Sequence, residues 1–423
     1  MYTYDGNTDA LTKVSSGSSS VHYTYNNNRQ LNSIKSPSSN YTFSYDKFGN
    51  LSSVKVGSQT LVTNSRAAAN GNLTKQTYGN SHAVSYTYDS YDRPLSVTYS
   101  GGGRTQGYKW DYDSSGRTAR YTENNNTEKA FLYSYDLSGR LTQAMRKDGS
   151  EYIRPSYDSK NLTTGLKYKF AGTTMSASYE YNENRDNLPS GASFENAGSV
   201  GYEYDSLGRT KMYGIFNKKF GAVYNASYTY KGHSSDSTGV VDSITYNLIN
   251  IKTLSYGYDK NGNITSITNT NGSVFEKYSY DNLNQLVYAM SEQDDYCIKY
   301  TYDSAGNILT KKTYPAAYDT LEDEADKEKL LISTVKYTYD SAWKDKLISY
   351  NGKSISYDSI GNMLSFDSQT FSWLGRRLMS YAKGGTTTNY TYNSDGIRTK
   401  KVSWSTTTDY CLNGTQIPVL CTA

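Results

Sequence analysis

Cysteine and histidine are scarce, three of each in 423 residues. Cys297, Cys411 and Cys421 are too few and too scattered for a disulfide framework or a zinc site with paired ligands, and they read as free thiols. His22, His82 and His233 share no spacing to a carboxylate, and the motifs G-x-S-x-G, H-E-x-x-H, G-x-x-x-x-G-K and C-x-x-C are missing. The sequence thus predicts a protein that is not an enzyme and uses no cofactor or metal. Charge of one sign is missing as well. The 44 basic and 40 acidic residues leave a net +4, and no block of Lys or Arg could track a phosphate backbone, which argues against nucleic acid as a partner. No apolar run reaches the length of a membrane-spanning helix. The opening MYTYDGNTDALTKV lacks the basic and apolar regions of a secretory signal peptide.

Aliphatic residues are thin too. With Tyr set aside, hydrophobic residues plus Gly make up about a third of the chain, against roughly 45–50% in an ordinary globular domain. What stands in their place is tyrosine, 46 residues of it. Disorder goes with few aromatics and high net charge, and neither holds here, so the chain is expected to fold with Tyr taking over burial.

The tyrosines recur in a pattern, Tyr-x-Tyr-Asp with a Gly four residues after the second Tyr. Strong copies are FSYDKFGNL (Tyr45, Asp46, Gly49, with Phe43 in the first aromatic place), WDYDSSGRT (Tyr112, Asp113, Gly116) and YSYDLSGRL (Tyr135, Asp136, Gly139). YEYDSLGRT (Tyr204, Asp205, Gly208), YGYDKNGNI (Tyr258, Asp259, Gly262), YTYDSAGNI (Tyr302, Asp303, Gly306) and ISYDSIGNM (Tyr357, Asp358, Gly361) complete them. Weaker copies fill the gaps, among them YTYDSYDRPL with Tyr88 and Asp89, and others at Tyr2, Tyr23, Pro155, Tyr179, Tyr228, Tyr278, Tyr337 and Tyr390. Successive second tyrosines lie about 23 residues apart, the mark of a repeat architecture. Between Tyr45 and Tyr88 the gap is nearly two units, and a degenerate NGNLTK at Asn70 sits where a copy belongs. No composition break divides the chain, so residues 1–423 read as one continuous array.

Two rings two residues apart share one face of a strand, with the intervening Thr, Ser or Glu on the other. Asp followed by Gly three places later suits the first and fourth positions of a type I turn. In Leu51-Ser52-Ser53-Val54-Lys55-Val56 the apolar residues do not keep one face, which predicts a bulge or bend. Each unit is then a β-hairpin, marginal alone and stabilised by its neighbours. The fold class is all-β, a repeat array of antiparallel hairpins forming a long curved or spiralling sheet. One step, from Tyr302 to Tyr339, is too long, and its excess contains LEDEADKEKLL. Ala, Leu and an Asp323–Lys327 spacing predict a short solvated helix in an inserted charged loop at about residues 315–334.

The turn aspartates recur in every unit, which fits turn building better than a catalytic pair. Asp111–Gly116 partly matches a calcium loop, but Thr122 stands where a bidentate Glu is required. The Tyr ladder reads as a structural core of cross-strand rings, and as the alternative a surface that stacks on sugars or holds an unfolded guest.

The motif and its period resemble the YD-repeat, or Rhs-repeat, family, and the C-terminal FSWLGRRLMSY and YTYNSDGIRTKK resemble the shell region of Gram-positive Rhs and wall-associated polymorphic toxins. The resemblance implies a spiralling β-sheet that closes into a hollow shell around a C-terminal toxin, as in insecticidal Tc toxin shells and animal teneurins. The family's core with its Asp-Pro-x-Gly motif does not follow, nor a toxin domain, so the chain is expected to be part of a shell wall. Its implied partners are a toxin cargo or the remaining shell segments of the full-length protein. The implied location is extracellular or cell-wall associated. An extracellular adhesion module whose exposed Tyr rings hold a cell-surface glycan is the alternative.

Overall fold

A computed structural model of the chain describes residues 1–423 except 17, 18, 220, 234, 235, 248–250, 414, 415 and 423. For 16, 222, 223, 233, 236, 237, 411–413 and 416–422 it describes the backbone alone. The side chains of His233, Cys411 and Cys421 therefore lie outside the described residues. Among the described residues the chain forms 38 strands. Each pairs antiparallel with the next in sequence, from Tyr2–Tyr4 against Leu11–Ser16 to Thr406–Asn413 against Gln416–Thr422. The result is a meander with local contacts along its whole length, as expected of a sheet built from hairpins.

The two faces of the sheet follow from the alternation in Tyr-x-Tyr. In Tyr86-Thr87-Tyr88, Tyr278-Ser279-Tyr280 and Tyr300-Thr301-Tyr302 the rings are half-buried and the middle residue is exposed. The middle residues form a ladder of hydroxyl pairs across the hairpins, Thr87 with Ser96 at 2.7 Å and Thr301 with Thr310 at 2.6 Å. One side is thus a tyrosine face and the other a hydroxyl face. In each repeat the register slips beside the second tyrosine. Ser44 faces Ser53 but Tyr45 faces Leu51, so Ser52 is a bulge residue, and the apolar side chains after it change face.

The sheet also has two edges. One carries the Asp-x-x-Gly turns and is called here the motif edge; the other carries the remaining connections, the plain edge. A sheet that stayed flat would keep its ends apart. This one turns back on itself. The plain edge near residues 36–124 meets the motif edge near residues 343–395, joining residues 269 to 307 apart in sequence. One circuit takes roughly 25 strands, which at ~4.8 Å per strand is a contour of ~120 Å and a width of ~38 Å. Packed sheets lie only ~10 Å apart, so opposite walls do not fill the space between them. The accessible surface agrees. It is 24,503 Å² for 47.3 kDa, where a compact protein of that mass would expose about 16,000 Å².

Between Tyr314 and Ser333 lie a 3₁₀ turn, Ala316–Thr320, and a short α-helix, Glu324–Lys329, capped by the Asp323 carboxylate on the Ala325 and Asp326 amides. This strap covers the hydroxyl face where that face carries Met290, Cys297 and Tyr314 in place of small hydroxyl residues. Tyr318 is buried against Tyr314, with ring centroids 4.4 Å apart, and packs with Met290 and Cys297. Asp319 accepts from Lys277 and from the Tyr288 hydroxyl, and Glu328 from Lys312 and the Tyr314 hydroxyl. These acidic groups of the segment are thus paired with the chain's own sheet.

Candidate functional site: the tyrosine clamp and the coil seam

Each motif turn is assembled around its aspartate. Asp136 Oδ1 accepts the backbone N–H of Ser138 and Arg140, both at 2.9 Å, and Oδ2 accepts Arg140 Nε at 2.7 Å. Gly139 donates its N–H to Asp136 O and sits at φ +80°, a left-handed conformation that Gly adopts without a Cβ penalty. The same set recurs at Asp46, Asp89, Asp113, Asp205, Asp259, Asp303 and Asp358, with Arg or Asn in the fourth place. The Arg140 side chain holds the Asp136 carboxyl below its ordinary value. Arg209 does the same for Asp205, and the Arg117 backbone N–H for Asp113. Carboxylates consumed in this way are turn-builders.

The second tyrosine links one unit to the one before. Its hydroxyl donates to the carbonyl of a residue just past the preceding turn: Tyr45 to Leu31, Tyr88 to Leu73, Tyr112 to Pro94, Tyr135 to Thr118, Tyr204 to Pro189. Tyr258, Tyr302 and their relatives repeat the bond. Where the turn ends in arginine, the preceding guanidinium also lies over that ring, Arg93 over Tyr112 at 4.3 Å and Arg117 over Tyr135 at 4.6 Å. One phenol thus takes a cation on its face while its hydroxyl bonds the neighbouring strand, a clamp fixing the spacing of successive hairpins.

Two clamps are built from residues outside the pattern. In the Asn64–Asn72 hairpin, Asn64 Nδ2 donates to Leu51 O, just past the preceding turn, at 3.0 Å, while Arg66, in the place of the second Tyr with the same register slip beside it, bonds Gly71 O of its own turn at 2.9 Å. In the strand Gln369–Leu374, Trp373 Nε1 donates to Met363 O at 2.7 Å, as a tyrosine hydroxyl would. The shared signal is a side-chain N–H donor in one of the two aromatic places, which a search for Tyr alone misses.

The seam is the second structural centre, and it joins motif turns, among them that of Asp358, to residues that carry no repeat signature, such as Ser38, His82 and Gln106. At one end Asp345 accepts the hydroxyls of Ser38, Ser39 and Tyr41, while Trp343 Nε1 donates to the Tyr41 hydroxyl at 3.0 Å. Further along, Asn80 donates to Asp358 at 2.8 Å, Ser359 to Gly79 O at 2.7 Å, and the Gly375 N–H to His82 Nδ1 at 2.9 Å. At the far end Tyr108 and Gln106 both donate to Tyr392 O, Arg377 donates to the Tyr108 hydroxyl at 2.8 Å, and the Ser394 N–H donates to Tyr121. The Arg377 guanidinium also lies 3.8 Å over the Tyr99 ring. Burial is concentrated at these places. Tyr108, Ile360 and Leu374 at the seam, and Tyr314 and Cys297 under the strap, are among the most deeply buried side chains, whereas the clamp rings stay half-exposed. Burial pushes the Tyr86 and Tyr133 phenols up to about 12.

On the tyrosine face, a hollow of about 800 Å³ opens beside the seam, lined in part by Trp110, Glu123, Phe131, Tyr133, Arg146 and Tyr410. Burial raises the Glu123 carboxyl, and Arg146 is paired with Glu151 at 2.9 Å. Asp111 pairs with Arg120, and Asp113 is occupied by its turn. Among the described residues no group of three His, Cys, Asp or Glu is placed to hold a metal ion, and no helix is long and apolar enough to cross a membrane.

Comparison with solved structures gives the same architecture. The crystal structure titled TcdB2-TccC3-TEV matches with a TM-score of 0.61 at 15% identity, over 98% of this chain and 23% of that one. TcdB2-TccC3 without its hypervariable C-terminal region matches with a TM-score of 0.62 at 15% identity, over 97% and 23%. The Photorhabdus luminescens Tc holotoxin pore matches with a TM-score of 0.54 at 16% identity, over 97% and 23%. The chain therefore spans about a quarter of these proteins, and the likeness is one of fold. No curated protein matches it. The family described as the teneurin YD-shell matches residues 1–395, which takes in the turns, the clamps and nearly all of the seam. A tyrosine-clamped meander that winds past its own beginning is a shell wall, and the chain belongs to the teneurin YD-shell family.

Proposed function

We propose that this wall serves to enclose a polypeptide cargo, a C-terminal toxin in the full-length protein, and that it does so without catalysis. The observation that carries the reading is the seam. A sheet that meets itself after ~25 strands separates an inside from an outside, and walls ~38 Å apart leave space for a guest. Half-buried tyrosines suit that role, being apolar in body and polar at the tip. The turn residues Tyr135, Asp136 and Gly139 and their counterparts act as wall fasteners, and residues 1–423 as one array interrupted only by the strap. On this reading the full-length protein works outside the cell or at its wall.

The test is limited proteolysis of the full-length protein. Cargo should resist a protease that cleaves the same cargo readily when it is expressed alone. Opening the seam with Ile360→Asp should expose it. Cargo digested equally fast with and without the wall would overturn the reading.

A further inference from the structure

The strap between Tyr314 and Ser333 lies on the wall as a ligand lies on a receptor. The sheet is continuous beneath it. Strand Ile308–Tyr314 pairs with Tyr296–Tyr302 on one side and with Ser333–Tyr339 on the other, from Cys297 against Tyr314 to Thr313 against Ser333. Two neighbouring cross-strand rows of the hydroxyl face form the floor. One runs Lys277, Met290, Cys297, Tyr314, and the other Ser279, Tyr288, Lys299, Lys312. Elsewhere on this face stand hydroxyl pairs like that of Thr87 with Ser96. Here the rows make an apolar slot flanked by ammonium groups.

The strap answers this floor group by group. The buried Tyr318 ring fills the slot between Tyr314 and Tyr288, with ring centroids at 4.4 and 6.4 Å, and Lys299 Nζ donates to its hydroxyl at 2.8 Å. The carboxylate next to the ring, Asp319, takes Lys277 and the Tyr288 hydroxyl. Glu324 lies 3.8 Å from Lys299, and Glu328 2.9 Å from Lys312. Ala316–Lys329 carries six carboxylates against two ammonium groups, so the segment as a whole complements the lysines below it. Its hold is nevertheless slight. The three ion pairs are partly exposed to solvent, where such pairs contribute little. The helix Glu324–Lys329 is far shorter than one that persists alone, and Leu331 and Ile332 stay exposed. The strap can therefore leave without undoing any strand pairing.

We propose that this face is a docking site for an acidic polypeptide segment of a partner protein, one with an aromatic side chain beside a carboxylate, and that the strap is its displaceable internal stand-in. The floor offers one aromatic slot and three cations at fixed spacing. A segment with the spacing of Tyr318, Asp319, Glu324 and Glu328 satisfies all of them, whereas a uniform polyanion leaves the slot empty. The strap competes from within the same molecule, so the partner's apparent affinity falls with the fraction of molecules in which the strap is open. The inference concerns the hydroxyl face and does not depend on what the shell encloses.

Cys297 reports the opening, since it is fully buried under the strap with its Sγ 3.8 Å from Ala316 O. Labelling of the whole chain with a soluble thiol reagent, read at Cys297 by peptide mapping, should be slow in the wild type. In Tyr318→Ala, which removes only the strap's anchor, labelling should be at least about tenfold faster while the circular dichroism of the sheet is kept. Two synthetic peptides are then added, one of residues 315–332 and one that keeps only the spacing of Tyr318, Asp319, Glu324 and Glu328 in a Gly and Ser background. Both should bind this variant, protect Cys297 again, and bind the wild type at least about tenfold more weakly. Adding Lys312→Glu should weaken both. The double variant Asp319→Lys, Glu328→Lys opens the strap by a second route should Tyr318→Ala fail to fold. Labelling indifferent to both strap variants, an open face that does not bind the spacing peptide, or binding matched by a scrambled peptide, polyglutamate or polyphosphate would each overturn the proposal.

Discussion

In the Asp205 hairpin the residue two places after the aspartate, Leu207, is 62% exposed; in the Asp358 hairpin the residue in that place, Ile360, is fully buried. The turns themselves are alike. Leu207 and Ile360 both give their N–H to the aspartate Oδ1, at 2.9 and 3.0 Å, and Gly208 and Gly361 sit at φ +78° and +85°. Local chemistry makes the same turn twice. What surrounds it is decided by where the circuit returns, so equal sequence patterns carry unequal energetic weight.

The sharpest way to break this comparison is one substitution made at both places. Ile360→Asp should cost about 3–5 kcal/mol, because it leaves an unpaired charge in a buried socket. Leu207→Asp should stay within about 0.5 kcal/mol. Denaturant unfolding measures both. Equal effects would mean that the seam does not form.

Alkaline pH should act on the whole wall. Burial raises the folded-state values of Tyr86 and Tyr133 from the ordinary 10.0 to about 12. Their contribution to stability is fully present below pH 10 and is lost as pH rises towards 12. A thermal melt followed against pH should hold its midpoint up to pH 10 and fall steeply above it. The acid limb has the opposite sign. Asp136 and Asp205 lie below their ordinary 3.8 when folded, so their stabilisation is present above that value and fades as pH falls through the lowered one. That loss should be smaller, since these carboxylates are only partly shielded from solvent, and should vanish selectively in Asp136→Asn.

Smaller effects probe the clamp and the turn. Gly139→Ala forces a Cβ into a positive φ and should cost about 1 kcal/mol, with no atom nearby to add a clash. Tyr135→Phe removes only the bond to Thr118 O and should cost about 0.5–1.5 kcal/mol. If Tyr135→Phe were the more damaging of the two by several kcal/mol, the clamp would outweigh the turn as the determinant of the hairpin.

The repeat itself was open to reading. The all-β class, the hairpin unit and its bulge follow from residues a few places apart: Tyr-x-Tyr fixes the face, and Asp with Gly fixes the turn. Asn64 and Trp373 escaped because they make the tyrosine's bond with a different donor. The Tyr135 clamp was partly visible, since the aromatic signals burial but not that its hydroxyl bonds Thr118 O. Asp345, His82 and Arg377 were invisible as a group. Nothing in their local sequence marks them as partners of Ser38, Gly375 and Tyr108.

Clamp bonds such as that of Tyr45 to Leu31 or Tyr230 to Thr210 reach only 14 to 20 residues along the chain, so the amino-acid sequence alone settled how one hairpin sits on the last. The seam spans 269 to 307 residues. Its position depends on a small twist added at each of some 25 strands, a sum that no single repeat encodes. Tertiary structure alone therefore decided which turns are buried and which stay exposed.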